Sequence, residues 1–398
     1  MEPYQVNELG DSAIGLQGYL VIDSLVNHRC CGGIRVAEDL SLGEVKALAR
    51  AMTLKYGFLE DDTVGGGKAG LALPRGCSEA EKDRLLRAFA ERLAPFVRSG
   101  VYLPWTDLGT NQGDLRVIRR AAGVSPRRLA DSALYTAFSV AGAVKACCRF
   151  HGIPLTGLRV AIEGFGCVGT QVARQLDRLG ARIVAVSTRF GAIAEDGGLE
   201  LEVLARLRQN SGDAFVVGCQ GARRMGTEDL LGLDVDVLVP CARAWTIHAG
   251  NVDSLRARAI VPGANCPVAA EAERAVENRG VLLVPDFVAN IGGIYGSRLD
   301  GRVSRERIRE MFLSQFCGMV LRLLQMAQQS QRTVREVAVE LALSRHERLL
   351  AEHGRLGKRA TRLLKRVALG LSDNLPVPQA MVEALFWAWA RWDLARRA

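Results

Sequence analysis

The sequence lacks any apolar run approaching the roughly 18 residues of a membrane span; its longer ones, residues 384–390 and 281–284, fall far short. It also lacks a secretory start, since Met1-Glu2-Pro3-Tyr4-Gln5 has neither a basic opening nor an apolar stretch. No CxxC occurs among the ten cysteines, of which Cys30-Cys31 and Cys147-Cys148 are adjacent pairs. The five histidines (His28, His151, His248, His346 and His353) are scattered. Metal-ligand spacing is therefore missing, no metal is expected, and the thiols are expected to be reduced and mostly buried. With 48% apolar and 24% charged residues the chain is not disordered, collagen-like or a disulfide-stapled mini-protein. The expectation is a soluble, cytoplasmic, mixed α/β protein whose 398 residues make two domains of ordinary size.

The net charge of +9 sits at one end of the chain. Residues 301–398 hold 18 Lys and Arg against 9 Asp and Glu, while the first 300 residues are balanced at 34 against 34. A basic tail is one mark of a nucleic-acid binder. Here Arg355, Lys358, Arg359, Arg362, Lys365 and Arg366 are interleaved with apolar residues at helical spacing, which predicts the solvated face of amphipathic helices. Neither nucleic acid nor membrane is expected as a partner.

Periodicity predicts a strand over 16–24 and a helix over 43–57 with Val45, Leu48, Ala49 and Met52 on one face. The glycine cluster at 65–70 is expected to be a loop. A helix over 78–98 opens with Ser78 and Glu81 in capping-box spacing, and 101–107 is expected to be a strand running into a loop. After a helix over 132–150 the pattern changes. Strands at 158–163, 182–187, 234–239, 258–261 and 281–285 alternate with helices at 164–180, 198–208 and 269–279, which implies a parallel, doubly wound sheet. Beyond about residue 300 the chain is expected to be helical. The domains expected are 1–131, 132–300 and a helical segment 301–398, with the chain returning to the first domain near 295–305.

Gly164-Phe165-Gly166-Cys167-Val168-Gly169 matches GxGxxG, directly after a strand and opening a helix. The first glycine makes the turn, the second lets backbone approach a pyrophosphate, and the third allows close helix–strand packing. The helix N-terminus adds free N–H groups and positive dipole. A carboxylate ending the next strand would bind a ribose 2′-hydroxyl, but Thr188 and Arg189 stand there. A hydroxyl and a guanidinium accept a 2′-phosphate, so NADP is favoured over NAD.

Two residues of the first domain call for chemistry. Lys68, among glycines, is an ammonium that can be held close to a substrate and partly desolvated, which suits polarisation of a carbonyl or proton transfer. Asp107 ends an apolar strand beside Trp105, where a carboxylate is open to perturbation.

Seven segments in order carry a resemblance: Gly32-Gly33-Ile34-Arg35, Met52-Thr53-Leu54-Lys55, Gly65-Gly66-Gly67-Lys68-Ala69-Gly70, Pro104-Trp105-Thr106-Asp107-Leu108-Gly109-Thr110, the glycine fingerprint at 164–169, Gly263-Ala264-Asn265-Cys266-Pro267, and Asn290-Ile291-Gly292-Gly293-Ile294. From about residue 16 to 300 the chain resembles the glutamate/leucine/phenylalanine/valine dehydrogenase family. The resemblance implies an α/β substrate and oligomerisation domain, a Rossmann-type coenzyme domain and C-terminal helices packing back. It implies reversible oxidative deamination of an L-amino acid to its 2-oxo acid and ammonia, with NADP or NAD, in a homo-oligomer, commonly a hexamer or octamer. By the same resemblance Lys55 grips the substrate α-carboxylate and Lys68 polarises the 2-oxo carbon and activates water. Asp107 shuttles the amino-group proton. Thr136 and Asn265 stand near the nicotinamide, Asn290 lines the cleft, and Gly33 borders the substrate.

The chain also departs from that pattern. Cys31 stands where glutamate-specific members carry a lysine, whereas Ser297 matches a serine that glutamate enzymes use. Trp105 replaces a small residue and is suited to narrowing the pocket or stacking on an aromatic substrate. Side-chain specificity is therefore left open, with strict glutamate selectivity disfavoured. Lys55 and Lys68 are 13 apart, one more than the family spacing, and a bulge in an edge strand is expected to absorb the difference. These departures leave a second reading, a weak or inactive nucleotide-binding homologue with a regulatory or assembly role. Trp387, Trp389 and Trp392 in the tail predict a packing or subunit-contact helix.

Overall fold

A computed structural model describes residues 2–125 and 130–351. They fall into two compact units, 2–125 with 339–351, and 130–338. Residues 301–338 are thus part of the second unit. The chain re-enters the first only within its last described helix, Val334–Ala351, later than the 295–305 expected. The basic stretch 355–366 and the tail tryptophans lie outside the described residues.

The first unit is built on five strands, β1 (Gln5–Glu8), β2 (Gln17–Ile22), β3 (Cys30–Ala37), β4 (Gly65–Ala72) and β5 (Tyr102–Thr106), in the order β1-β2-β4-β3-β5. β3 pairs parallel to β4 and β5, and β2 pairs antiparallel to β1 and β4. Side chains alternate across a strand, and here both faces are covered. Leu20, Ile22, Cys30, Ile34, Ala69, Leu71 and Tyr102 pack with Leu85, Phe89, Leu93 and Val97 of the helix α2 (Glu79–Arg98). On the other face Val21 and Ala72 pack with Val45 and Ala49 of the helix α1 (Leu42–Phe58). Ser78 caps α2 by accepting from Glu81 N at 3.2 Å, as its sequence predicts.

The glycine cluster is not a loop. It is β4, between β2 and β3 and buried along its whole length. Glycine disfavours strands for want of a side chain to pack, but here the neighbours come too close for one. A Cβ on Gly66 would lie 2.2 Å from Thr53 N on α1, and one on Gly70 would lie 2.6 Å from Leu40. Neither ladder of β4 shifts register, so the extra residue before Lys68 is not absorbed by a bulge in an edge strand. In the turn after α1, Glu60 has φ +50° and meets Arg345 and Arg348 of the last helix at 3.4 and 3.1 Å.

The second unit carries seven strands in the order β12-β11-β10-β6-β7-β8-β9. β6 (Arg159–Glu163), β7 (Arg182–Thr188), β10 (Val237–Pro240), β11 (Ala259–Ile260) and β12 (Leu282–Leu283) run parallel, as expected. β8 (Gly191–Ala194) and β9 (Arg223–Met225) add an antiparallel edge that periodicity had not indicated. The helix Ser132–His151 packs on helices Gly292–Leu299 and Cys317–Ser330. Glycines allow this closeness: a Cβ on Gly292 would be 2.0 Å from Tyr135 O, and one on Gly142 2.4 Å from Phe312 O. Phe312–Phe316 is a π-helical turn, and Lys145 Nζ donates to Leu313 O within it at 3.1 Å.

Gly66→Ala should destabilise the protein by about 1–3 kcal/mol through overpacking against α1, read as a lowered urea midpoint at unchanged slope. An unchanged midpoint would show that α1 yields freely.

Candidate active site

The alternation of β3, β4 and β5 sorts the first unit's candidate residues onto one face. Cys31, Gly33 and Arg35 lie beside Gly66, Lys68 and Gly70 on one side and beside Leu103 and Trp105 on the other, under α1. Three of these are glycines, so the β3 side of Lys68 is short of side chains, while Val21 is its partner on β2. Gly33 has its own reason: a Cβ there would be 2.7 Å from Thr106 O and 2.8 Å from Asp107 Cβ. Glycine at 33 lets Asp107 fold back against β3.

The charges on this face form one network. Lys68 Nζ is 2.6 Å from Asp107 Oδ2, with the lysine 2% exposed. Arg35 Nε donates to the same oxygen at 3.0 Å, and its guanidinium reaches Glu44 on α1 at 2.5 Å. Burial alone would raise the Asp107 carboxyl, but Arg35 and then Lys68 outweigh it and hold the group far below the usual carboxylate range. Burial works against the Arg35 guanidinium, yet Asp107 and Glu44 raise it above its ordinary value. The backbone of Asp107 is pinned by Thr110, whose hydroxyl accepts from Asp107 N at 2.8 Å and contacts Ile34 O at 2.8 Å. Lys55 is buried in the last turn of α1, on the helix that covers this face. The half-buried Trp105 is the cross-strand neighbour of Gly33.

Arg35 and Glu44 were not among the residues singled out from sequence. The signals were there: an arginine inside an otherwise apolar strand, and a glutamate three residues after Ser41, which caps α1 through Glu44 N.

The second unit brings together the other candidates. Gly164 has φ +91° and turns the chain out of β6. A Cβ on Gly169 would be 2.1 Å from Gly164 O, which is the close helix–strand packing expected of the third glycine. Gly166 caps the helix Cys167–Asp177 without a side-chain bond, and nothing lies within 4 Å of where its Cβ would be. This glycine faces open space, which fits the approach of a pyrophosphate to the first N–H groups of the helix. Cys167 is exposed and Val168 half-buried at that mouth. The Phe165 ring instead turns inward onto Phe215, leaving only its backbone for a ligand.

At the end of β7 the Thr188 hydroxyl donates to Asp213 O at 2.8 Å and accepts from Phe190 N at 3.2 Å. Arg189 is the exposed group there, over the Phe190 ring and 3.9 Å from Asp213, which also lies 3.7 Å from Arg208. Asn290 Nδ2 donates to Ala264 O at 2.8 Å and Asn265 Oδ1 at 3.1 Å, so it shapes the 263–265 loop, while its buried Oδ1 has no hydrogen-bond partner among the described residues. Thr136 touches the Cβ position of Gly293 at 2.6 Å, and the Ser297 hydroxyl bonds Gly293 O one turn on. Thus Thr136, Asn290 and Ser297 gather around one helical junction.

Profiles of two parts of one family match the chain: the Glu/Leu/Phe/Val dehydrogenase dimerisation domain over residues 5–122, and the Glutamate/Leucine/Phenylalanine/Valine dehydrogenase domain over 130–354. The chain belongs to this family. Its reaction class follows from membership: oxidation or formation of a CH–NH2 group with NAD or NADP. The chain is 35% identical to glutamate dehydrogenase of Thermotoga maritima over 70% of each chain, and 30% identical to NADP-specific glutamate dehydrogenase of Saccharolobus shibatae over 82% of each. The hetero-hexameric glutamate dehydrogenase of Thermus thermophilus (Leu-bound form) superimposes with a TM-score of 0.73 at 26% identity, covering 89% of this chain and 90% of that one. Among the described residues no helix is long and apolar enough to cross a membrane.

Glu163, at the end of β6, supplies a pH test. Burial raises its carboxyl to about 7, only partly offset by the N–H of Ala242 and the hydroxyl of Thr246. Because the folded value lies above the ordinary 4.5, the native state loses stability as pH rises from 4.5 to about 7, and the loss persists above. Glu163→Gln should therefore stabilise the protein at pH 8 by about 1–3 kcal/mol and change little at pH 4.5. Denaturation at both pH values checks this, and an equal effect at both would contradict it.

Proposed function

We propose that the chain catalyses reversible oxidative deamination of an L-amino acid, with Lys68 and Asp107 as its catalytic residues. The observation that carries this reading is the Lys68–Asp107 ion pair at 2.6 Å, with Lys68 buried and Asp107 partly so, among the glycines of β3 and β4. Lys68 is the electrophilic group: its ammonium stabilises negative charge developing on the substrate's α-carbon oxygen and orients the attacking water. Asp107 moves the proton of the substrate nitrogen. Lys55 binds the α-carboxylate, and Gly33 borders the substrate by letting Asp107 fold back against β3. When bound, the nicotinamide coenzyme donates or accepts the hydride. Thr136, Asn265 and Asn290 orient its carboxamide end, and the 164–169 turn holds its pyrophosphate.

Specificity is read from Cys31, Trp105 and Ser297. Cys31 is buried and supplies no positive charge for a side-chain carboxylate, and Trp105 adds an apolar wall on the same face. An apolar or aromatic side chain suits that wall better than glutamate. Arg189, exposed at the end of β7, supports NADP. The working form is taken to be a cytoplasmic homo-oligomer, a hexamer or octamer, and a monomer by light scattering would contradict that.

The test is oxidation of NADPH and NADH with ammonia and 2-oxo acids running from 2-oxoglutarate through branched aliphatic to phenyl and indolyl. Turnover is expected with at least one acid, to fall by about 10³-fold or more in Lys68→Ala. Arg189→Ala should raise KM for NADPH selectively. Coenzyme binding without turnover of any acid would favour an inactive nucleotide-binding homologue.

A further inference from the structure

The Lys68–Asp107 pair has a third member to which the proposed chemistry gives no role. Arg35 is buried at 2% exposure and joins two carboxylates, Asp107 at 3.0 Å and Glu44 at 2.5 Å. Four charges of alternating sign thus run from β4 through the turn after β5 and through β3 to α1. Both cations converge on one oxygen of Asp107, Oδ2. Among the described residues no hydrogen bond is made to Oδ1. The other buried ionisable side chains of these elements are Cys30, Cys31, Tyr56, Lys55 and Tyr102. Cys30 and Tyr102 belong to the opposite face, Tyr102 with its hydroxyl donated to Gly32 O at 2.7 Å.

We propose that Arg35 is a positioning residue of the reaction. It holds Asp107 Oδ2 together with Lys68, so that Oδ1 is the oxygen that exchanges a proton with the substrate nitrogen. Glu44 sets the strength of that hold. The inference rests on the proposed role of Asp107. In the oxidative direction the substrate ammonium loses one proton: its N–H bond breaks, an O–H bond forms at Oδ1, and the electron pair stays on nitrogen as the free amine. The reverse reaction returns that proton. A carboxylate with one oxygen gripped twice cannot rotate, which keeps Oδ1 aimed while Lys68 engages the substrate. Glu44 opposes the field of Arg35 at Asp107. Loss of Arg35 and loss of the Glu44 charge should therefore shift the Asp107 carboxyl in opposite directions, whereas a purely structural role would only lower stability and activity in both.

The full-length protein, labelled with ¹³C at aspartate carboxyls, would be titrated between about pH 8 and 4 by infrared spectroscopy, with Asp107→Asn identifying the band. Wild type, Arg35→Met, Arg35→Lys, Glu44→Gln and the double variant R35M/E44Q would be compared, the last avoiding a stranded buried carboxylate. Wild-type Asp107 should stay ionised throughout. In Arg35→Met and in the double variant it should take up a proton within the range, and in Glu44→Gln it should not. In kinetics Arg35→Met should lower kcat by about 10- to 100-fold, with the acid limb of kcat/KM moved up by about one pH unit and KM little changed. Arg35→Lys should recover part of the loss.

A folded, coenzyme-binding Arg35→Met or double variant with an unmoved band and acid limb would overturn the inference. So would an upward move in Glu44→Gln. Wild type inactive with every acid would instead remove the proposed function, and with it the proton step at Oδ1, whatever the infrared titration showed.

Discussion

An ammonium and a carboxylate held together out of water constrain much of the first unit. Taking either charge out of water costs several kcal/mol, and attraction within the pair offsets that only with good geometry and further hydrogen bonds. Here Lys68 and Asp107 are part of an alternating set with Arg35 and Glu44, so each buried charge has an opposite neighbour. Glu44 sits in the first turn of α1, where the helix dipole favours an anion. The architecture follows: β3, β4 and β5 run parallel so that residues 35, 68 and 107 share a face, and α1 closes over them.

The same constraint explains the glycines. A side chain at 66 or 70 would strike α1, and one at 33 would strike the turn that carries Asp107. Glycine is a poor strand former, so β4 depends on being central, paired on both sides and covered on both faces. The second unit uses glycine differently. Gly164 and Gly169 are needed for the fold of the turn itself, whereas Gly166 faces open space and is explained by what approaches from outside.

What could be read from sequence was what local residues decide. The fingerprint turn, the Ser78 cap and the parallel strands of the second unit depend on neighbours within a few positions. β4 was hidden because alternation cannot show where half the positions are glycine. The two short antiparallel strands, β8 and β9, carry too few residues to display a period. The bulge expected before Lys68 failed because topology, not composition, put β4 in the middle of the sheet. The place of Arg35 in the charge network was not legible because its partners are 9 and 72 positions away. Thr188 illustrates the converse: its type suits a phosphate, but its hydroxyl is already engaged by the loop at Asp213.

The central claim is that Lys68 and Asp107 act as one unit. A double-mutant cycle in kcat/KM, using Lys68→Ala, Asp107→Asn and both together with the preferred 2-oxo acid, tests it most directly. The prediction is strong non-additivity, each single variant losing about as much as the double. Losses that multiply would show two independent contributions and contradict the claim, as would near-wild-type activity in either single variant.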